Sequence, residues 1–271
     1  MPSSNARALD KARSLPADAV IFDLEDAVAP DAKQSARDQA CAAVTSGAYG
    51  RRTLTIRCNG LDTPWGGDDL SAAAAAGPHA VVLPKVSGRA YLDQVAQVTG
   101  PDMRFWAMVE TPAAVFAVRE IAAHPQVDVL VVGTNDLAKE LRAALVPGRA
   151  PLLPHLATIL LAAREAGVDV LDGVYNDVRD LEGFEAECLQ GAEMGFDGKT
   201  LVHPSQVEVA NRVWAPGEAE VEHAARVIAA FEEAAREGRG VVTVDGRMVE
   251  NLHVDNARRV LATAEAVAAL D

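Results

Sequence analysis

Short apolar runs rich in β-branched residues recur along the chain, and the stretches between them carry apolar residues at helical spacing. This alternation predicts parallel strands joined by crossover helices, because strands buried on both faces read as continuous apolar runs. Strands are expected at AVIFD (19–23), TLTIR (53–57), AVVLP (80–84), FWAMV (105–109), VDVLVVG (127–133), VDVLD (168–172) and, as the weakest, KTLVH (199–203). Helices are expected over 31–45, opened by Pro30 and Asp31, and over 113–123, where Thr111 and Pro112 have the chemistry of a cap and a first helical residue. The repeat is that of an α/β fold, a TIM-type (β/α)8 barrel over residues 1–212. Seven strands are counted where eight are needed. The first barrel strand is the missing one, since MPSSNARALDKA reads as a loop followed by a helix. After Pro204 the pattern changes. A long helix over 217–237, a hairpin in GVVTVDGRMV turning on Asp245 and Gly246, and a last helix over 254–269 add no β/α unit. Residues 213–271 are therefore expected to form a C-terminal helical and hairpin extension acting as a lid.

Composition narrows the function. At 271 residues the chain has the length of one α/β barrel, and 49% hydrophobic with 24% charged residues is ordinary globular composition. Aromatic residues make up only 4%, so Ala, Val and Leu must fill the interior. With 25 Lys plus Arg against 39 Asp plus Glu the net charge is −14, a field that repels phosphate backbones and argues against nucleic acid as a partner. An anionic substrate then needs a local positive feature: a placed arginine, a metal ion or a helix N-terminus. Three scattered cysteines, Cys41, Cys58 and Cys188, suit neither a disulfide framework nor a zinc site with paired thiolates. No apolar stretch reaches the length of a membrane span, and the N-terminal segment lacks the apolar core of an export signal, so a cytoplasmic location is expected.

The polar residues collect at the predicted C-terminal strand ends, the face on which barrel enzymes build their sites. Glu110 and Asp136 close consecutive strands and are spaced to share one Mg²⁺ or Mn²⁺; the bland alternative is that each caps the helix after it. Arg57 ends another strand, either to take a substrate carboxylate bidentately or to form an internal ion pair with Asp23 or Glu25. In FDLEDAV, Asp23 and Glu25 are candidate ion-paired scaffolding, and Asp26 is a candidate to orient a water or move a proton. Lys85, in LPKV, could meet a phosphate or pair with those acids. The GTNDL segment, with Asn135, lacks a dinucleotide fingerprint and could instead hold a small carboxylate. Trp65 and the glycines after it form either a mobile loop over the site or a simple turn, and His203 is expected to be structural.

FDLEDAV, RCNGLDTPWGGDDL, LPKV, ETPAA, GTNDLAKEL, DGVYNDVRD and GFDGKTLVHPSQVEVAN, in this order and over nearly the whole chain, closely resemble the citrate lyase beta-subunit-like proteins of the 2-keto acid aldolase and malyl-CoA lyase superfamily. The resemblance implies a TIM barrel with a C-terminal lid, a homotrimer, and Mg²⁺-dependent cleavage or formation of a C–C bond between an acyl thioester and an α-keto acid. It makes Glu110 and Asp136 the metal ligands and Arg57 the substrate-binding arginine, with Asn135 and Lys85 beside it. Two departures stand out. Relatives begin with an apolar strand ahead of the SNARALDKA-like segment, and they carry a lid Asp where GRMVE here places Glu250, one methylene longer. Plain aldolases resemble each other in a His where Asp26 stands, which favours the thioester branch. The implied activity is cleavage of citryl-CoA or malyl-CoA to an acyl-CoA and oxaloacetate or glyoxylate, with Arg57, Asp26 and Glu250 as catalytic groups. The alternatives are a plain 2-keto acid aldolase and a carrier-dependent or non-catalytic subunit of a lyase complex.

Overall fold

The structure is a computed structural model that describes residues 1–236, 238 and 240–269. Glu237, the last residue of the expected long helix, and residues 239, 270 and 271 of the expected extension lie outside the described residues. The chain divides into two compact units, Met1–Ala210 and Asn211–Asp271.

In the first unit α1 (Ala6–Ala12) precedes β1 (Ala19–Asp23), and strands and helices then alternate: α2 (Lys33–Thr45), β2 (Thr53–Arg57), α3 (Gly66–Ala76), β3 (Ala80–Leu83), α4 (Arg89–Thr99), β4 (Phe105–Val109), α5 (Pro112–Ala122) and β5 (Val127–Val132). Next come α6 (Thr134–Leu141), α7 (Leu153–Ala166), β6 (Asp169–Asp172), α8 (Leu181–Met194), β7 (Gly198–Lys199) and α9 (Val207–Trp214), which runs into the second unit. The seven strands form one parallel sheet in sequential order, the curled arrangement of a TIM-type barrel. Register places Asp23 beside Arg57 at the ends of β1 and β2.

Both faces of the sheet are covered, and this is why the strands read as unbroken apolar runs. One face packs Ala80, Val82, Trp106, Met108, Val129 and Val131 together, flanked by Ile21 and Leu171. The alternate residues Val81, Leu83, Phe105, Ala107, Val109 and Leu130 are buried as well. Thr111 Oγ1 accepts from the Ala114 N–H and Pro112 opens α5, as its sequence predicts.

One expectation is corrected. β7 is two residues long, not five. Beyond Lys199 the Thr200 N–H bonds the Asp172 carbonyl, and the Val202 and His203 N–H groups donate to Gln206 Oε1, so a side chain takes the donors a ladder would need. At the other end MPSS is a loop before α1, as expected, and it is tied to the sheet. Pro2 bridges Asp23 in parallel fashion, the Asp23 N–H donates to the Met1 carbonyl at 2.8 Å, and the Ser3 N–H to the Asp23 carbonyl at 3.0 Å, so Met1 to Ser3 line the outer edge of β1.

The second unit contains α10 (Glu218–Arg236), an antiparallel hairpin of β8 (Val242–Val244) and β9 (Arg247–Val249), and α11 (Asn251–Ala268). Asp245 and Gly246 both take positive φ, 49° and 76°, as a two-residue hairpin turn with the strand twist requires. Ala224, Val227, Val244, Val249, Val254, Ala257 and Val260 form its core.

Candidate active site

The end of β1 lies against the end of β2, and the side chains there are locked by charge. Arg57 Nε is 2.6 Å from Asp23 Oδ1 and Nη2 is 2.7 Å from Oδ2, a fork-on-fork pair. Arg57 Nη1 is 2.7 Å from Glu25 Oε2, an ion-pair contact outside hydrogen-bond geometry. Asp23 also accepts from the main-chain N–H groups of Glu25 and Ala27. Burial works against both charges. Even so, Arg57 and these donors hold the Asp23 carboxyl below its ordinary value, and the two acids push the Arg57 pKa up. Nη1 also donates weakly to Met108 Sδ at 4.0 Å, so Nε and one Nη2 N–H are committed to Asp23 while Nη1 lies between Glu25 and Met108. The internal ion pair weighed for Arg57 is present, to both acids at once.

Glu110 ends β4 and is 2% exposed. Its Oε1 accepts from the Lys85 main-chain N–H at 2.7 Å. Gly133 faces it from the end of β5: a Cβ at that position would collide with Glu110 Cβ and Oε2. Burial first, then the charges of Glu25 and Asp136, push the Glu110 carboxyl up to about 7. Asp136 lies in the first turn of α6. Lys85 Nζ is 3.3 Å from Glu25 Oε1, so Lys85 pairs with the acids of FDLEDAV. Burial also raises the Glu25 pKa, with Asp26 acting in the same direction. Glu25 and Asp136 thus both repel the buried Glu110 carboxylate, an arrangement that a divalent cation would relieve. Among the described residues no group of three or more His, Cys, Asp or Glu is placed to hold a metal. Two carboxylates without a third ligand suit Mg²⁺ or Mn²⁺, which keep positions for water and substrate oxygens, better than a closed zinc site.

Asp26 is exposed on the turn after β1. Asn135 exchanges two amide hydrogen bonds with Asn176, at 2.7 and 3.0 Å, tying the loop after β5 to the loop after β6. Glu250 belongs to the second unit. It is exposed ahead of α11, with its N–H donating to His253 Nδ1. His203 accepts from the Ser205 N–H, the structural role expected of it.

Two buried networks escape sequence reasoning. Lys33, 6% exposed, donates to the carbonyls of Leu24 and Glu25 at 2.7 and 2.8 Å and to Asn59 Oδ1 at 2.8 Å, with the Trp65 ring centroid 5.1 Å from its ammonium. Asn59 in turn binds Asp69, which pairs with Arg37. The loop bearing Trp65 is therefore fastened. One signal for Lys33 was available: a cation in the first turn of a helix opposes the macrodipole and calls for another partner. The second network joins Arg149, Asp172, Lys199 and Glu187 at the ends of β6 and β7. Its members are 12 to 50 residues apart, and nothing in their local sequence marks the pairing.

The family model described as HpcH/HpaI aldolase/citrate lyase matches residues 1–204. A (3S)-malyl-CoA thioesterase of Cereibacter sphaeroides is 54% identical over 99% of this chain and 94% of that protein. The citrate lyase subunit beta of Escherichia coli is 36% identical over 98% of this chain and 91% of its own length. The crystal structure of CitE from Mycobacterium tuberculosis in complex with magnesium, acetoacetate and coenzyme A superposes with a TM-score of 0.81 at 30% identity, covering 98% of this chain and 96% of that one. With the family model spanning the whole parallel sheet and relatives of this identity matched end to end, the chain belongs to the HpcH/HpaI aldolase/citrate lyase family, a family of carbon–carbon lyases.

Proposed function

We propose that the protein is a magnesium-dependent lyase that cleaves, or forms, a 3-hydroxyacyl-CoA such as malyl-CoA or citryl-CoA, giving an acyl-CoA and glyoxylate or oxaloacetate. The observation that carries this reading is the buried Glu110 carboxylate, crowded by Asp136 and Glu25 beside the Arg57 guanidinium. Glu110 and Asp136 would hold the Mg²⁺ ion, with Mn²⁺ as a substitute, and the ion supplies Lewis acidity toward the hydroxyl and carboxylate oxygens of the substrate. The CitE relative was crystallised with magnesium and coenzyme A, which supports the assignment.

In this reading Arg57 offers its remaining N–H capacity to the carboxylate of the keto-acid half, with Asn135 and Lys85 as further binding groups. Asp26 takes the hydroxyl proton as the C–C bond breaks. The electron pair of that bond passes into the thioester enolate, the hydroxyl becomes the keto group, and the enolate carbon takes up a proton. Glu250, from a lid comprising residues 213–271, is the proposed donor of that proton in a homotrimer. Solubility in the cytoplasm belongs to the same reading; no described helix is long and apolar enough to cross a membrane.

A second reading is favoured by one observation, the 54% identity to a (3S)-malyl-CoA thioesterase. In that reaction water adds to the thioester carbonyl and the CoA thiolate leaves, so the C–C bond survives. Incubating the purified chain with (3S)-malyl-CoA and Mg²⁺ separates the two. Acetyl-CoA and glyoxylate establish the lyase, whereas malate and free CoA establish the thioesterase. Wild-type rates in both Glu110→Ala and Asp136→Ala would overturn the site in either case, and turnover of 4-hydroxy-2-keto acids alone would point to a plain aldolase.

A further inference from the structure

We propose that Lys33 is a positioning residue for substrate binding, tying the loop after β1 to the loop after β2 so that Glu25 holds Arg57 in its binding orientation. The inference rests on the lyase or thioesterase reading above, in which Arg57 takes the substrate carboxylate.

All three partners of the Lys33 ammonium are neutral: the carbonyls of Leu24 and Glu25, and Asn59 Oδ1. A buried lysine kept only for stability is expected to meet a carboxylate directly. Here each N–H is spent on fixing a loop. Leu24 is caught from both ends, its N–H donating to the Arg57 carbonyl at 2.9 Å while its own carbonyl accepts from Lys33 and from Asn59 Nδ2. With both carbonyls bonded to Lys33, the Glu25 side chain is the one that spans Arg57 Nη1 and Lys85 Nζ. Asn59 is anchored by Asp69 and Arg37, and Trp65 covers the ammonium, so the second loop is as fixed as the first. Without the ammonium, the Glu25 carbonyl keeps only the Val28 N–H at 3.0 Å, a bond within the turn itself, so the link from this turn to Asn59 through Lys33 is lost and Glu25 is held less firmly beside the guanidinium. Arg57 would keep Asp23 but lose the second acid that sets its tilt.

The test compares Lys33→Met, Lys33→Arg and, as a purely structural control, Gln126→Met, whose amide bonds the carbonyls of Gly100 and Met103 at the opposite ends of the strands. Binding lost equally from ground and transition states raises KM and spares kcat. The expectation for Lys33→Met is therefore a KM for malyl-CoA up by about tenfold with kcat within about threefold of wild type. Lys33→Arg should recover most of that loss. Gln126→Met should lower the melting temperature with KM unmoved. An unaltered KM in folded Lys33→Met overturns the inference, as does a fall confined to kcat. Should Lys33→Met not fold, Asn59→Ser, which removes the Oδ1 acceptor of Lys33 and the Nδ2 donor to the Leu24 carbonyl while keeping the amine, carries the same expectation and the same refutation. A wild type that turns over no thioester overturns the functional reading and this inference together. An active wild type with an indifferent Lys33 overturns this inference alone.

Discussion

The main-chain N–H of Lys85 reaches Glu110 Oε1 at 2.7 Å, and Lys85 makes that bond from left-handed backbone, with φ at 49°. A lysine in this region carries strain of about 1 kcal/mol that glycine does not. Lys85→Gly keeps the N–H and removes both the strain and the ammonium. Because the ammonium is half exposed, its pair with Glu25 adds little stability. The variant should therefore melt about 2–4 °C higher. KM for the thioester should rise if the ammonium binds substrate. Thermal unfolding and steady-state kinetics on one preparation read both effects, and a lower melting temperature would remove strain from the account.

Gly133 is required by space rather than by conformation, since the Cβ of any other residue would run into the Glu110 side chain. Gly133→Ala should displace the carboxylate and weaken Mg²⁺ binding by at least about tenfold, while the sheet beneath stays folded. Calorimetric titration with Mg²⁺, alongside circular dichroism, checks this. Tight binding in the alanine variant would mean that Glu110 is not a ligand.

Glu110 also predicts a pH dependence of stability. Its folded pKa, about 7, lies above the unfolded value of a glutamate, so between those values the folded state holds the proton more tightly. Metal-free protein should therefore lose stability as pH rises from about 4.5 to about 7, by up to about 3 kcal/mol, and level off above. His124 opposes this, because burial lowers its pKa and its contribution to stability grows as pH rises. The difference between wild type and Glu110→Gln isolates the carboxyl: it should slope through this window and vanish in the acid limit. A flat difference curve would mean that Glu110 titrates as an exposed acid.

Much of this was legible beforehand, and the reasons are local. Strands buried on both faces announce themselves as apolar runs, and Thr111 with Pro112 announces a helix start, so six strands and the capped helix lie within a residue or two of expectation. The strand-end positions of Arg57 and Glu110 follow from those strands. The last strand was overread because the donors of Val202 and His203 go to Gln206, a side chain whose role depends on a turn the apolar pattern does not encode. Lys33 goes unmarked in the apolar pattern of the sequence for a similar reason. Its acceptors lie 8, 9 and 26 residues away, and only the folded loops bring them around one nitrogen.

The buried quartet at the ends of β6 and β7 gives the largest expected loss of stability. Asp172 receives Arg149 Nη1 at 2.7 and 2.8 Å and Lys199 Nζ at 2.9 Å, and Lys199 also meets Glu187 at 2.8 Å, two cations balanced by two anions. Asp172→Asn leaves both cations buried with Glu187 alone, at a cost of about 3–5 kcal/mol. For a chain of this length that is a fall in melting temperature of roughly 10 °C. Glu187→Gln should cost less, because Asp172 still meets both cations and the Glu187 side chain is the more exposed of the two. Neither side chain touches Glu110 or Arg57 through any described bond, so KM measured well below the transition should stay within about twofold. A melting temperature unchanged in Asp172→Asn would show that the quartet adds nothing to the fold. A large rise in KM at unchanged stability would instead make it part of the site.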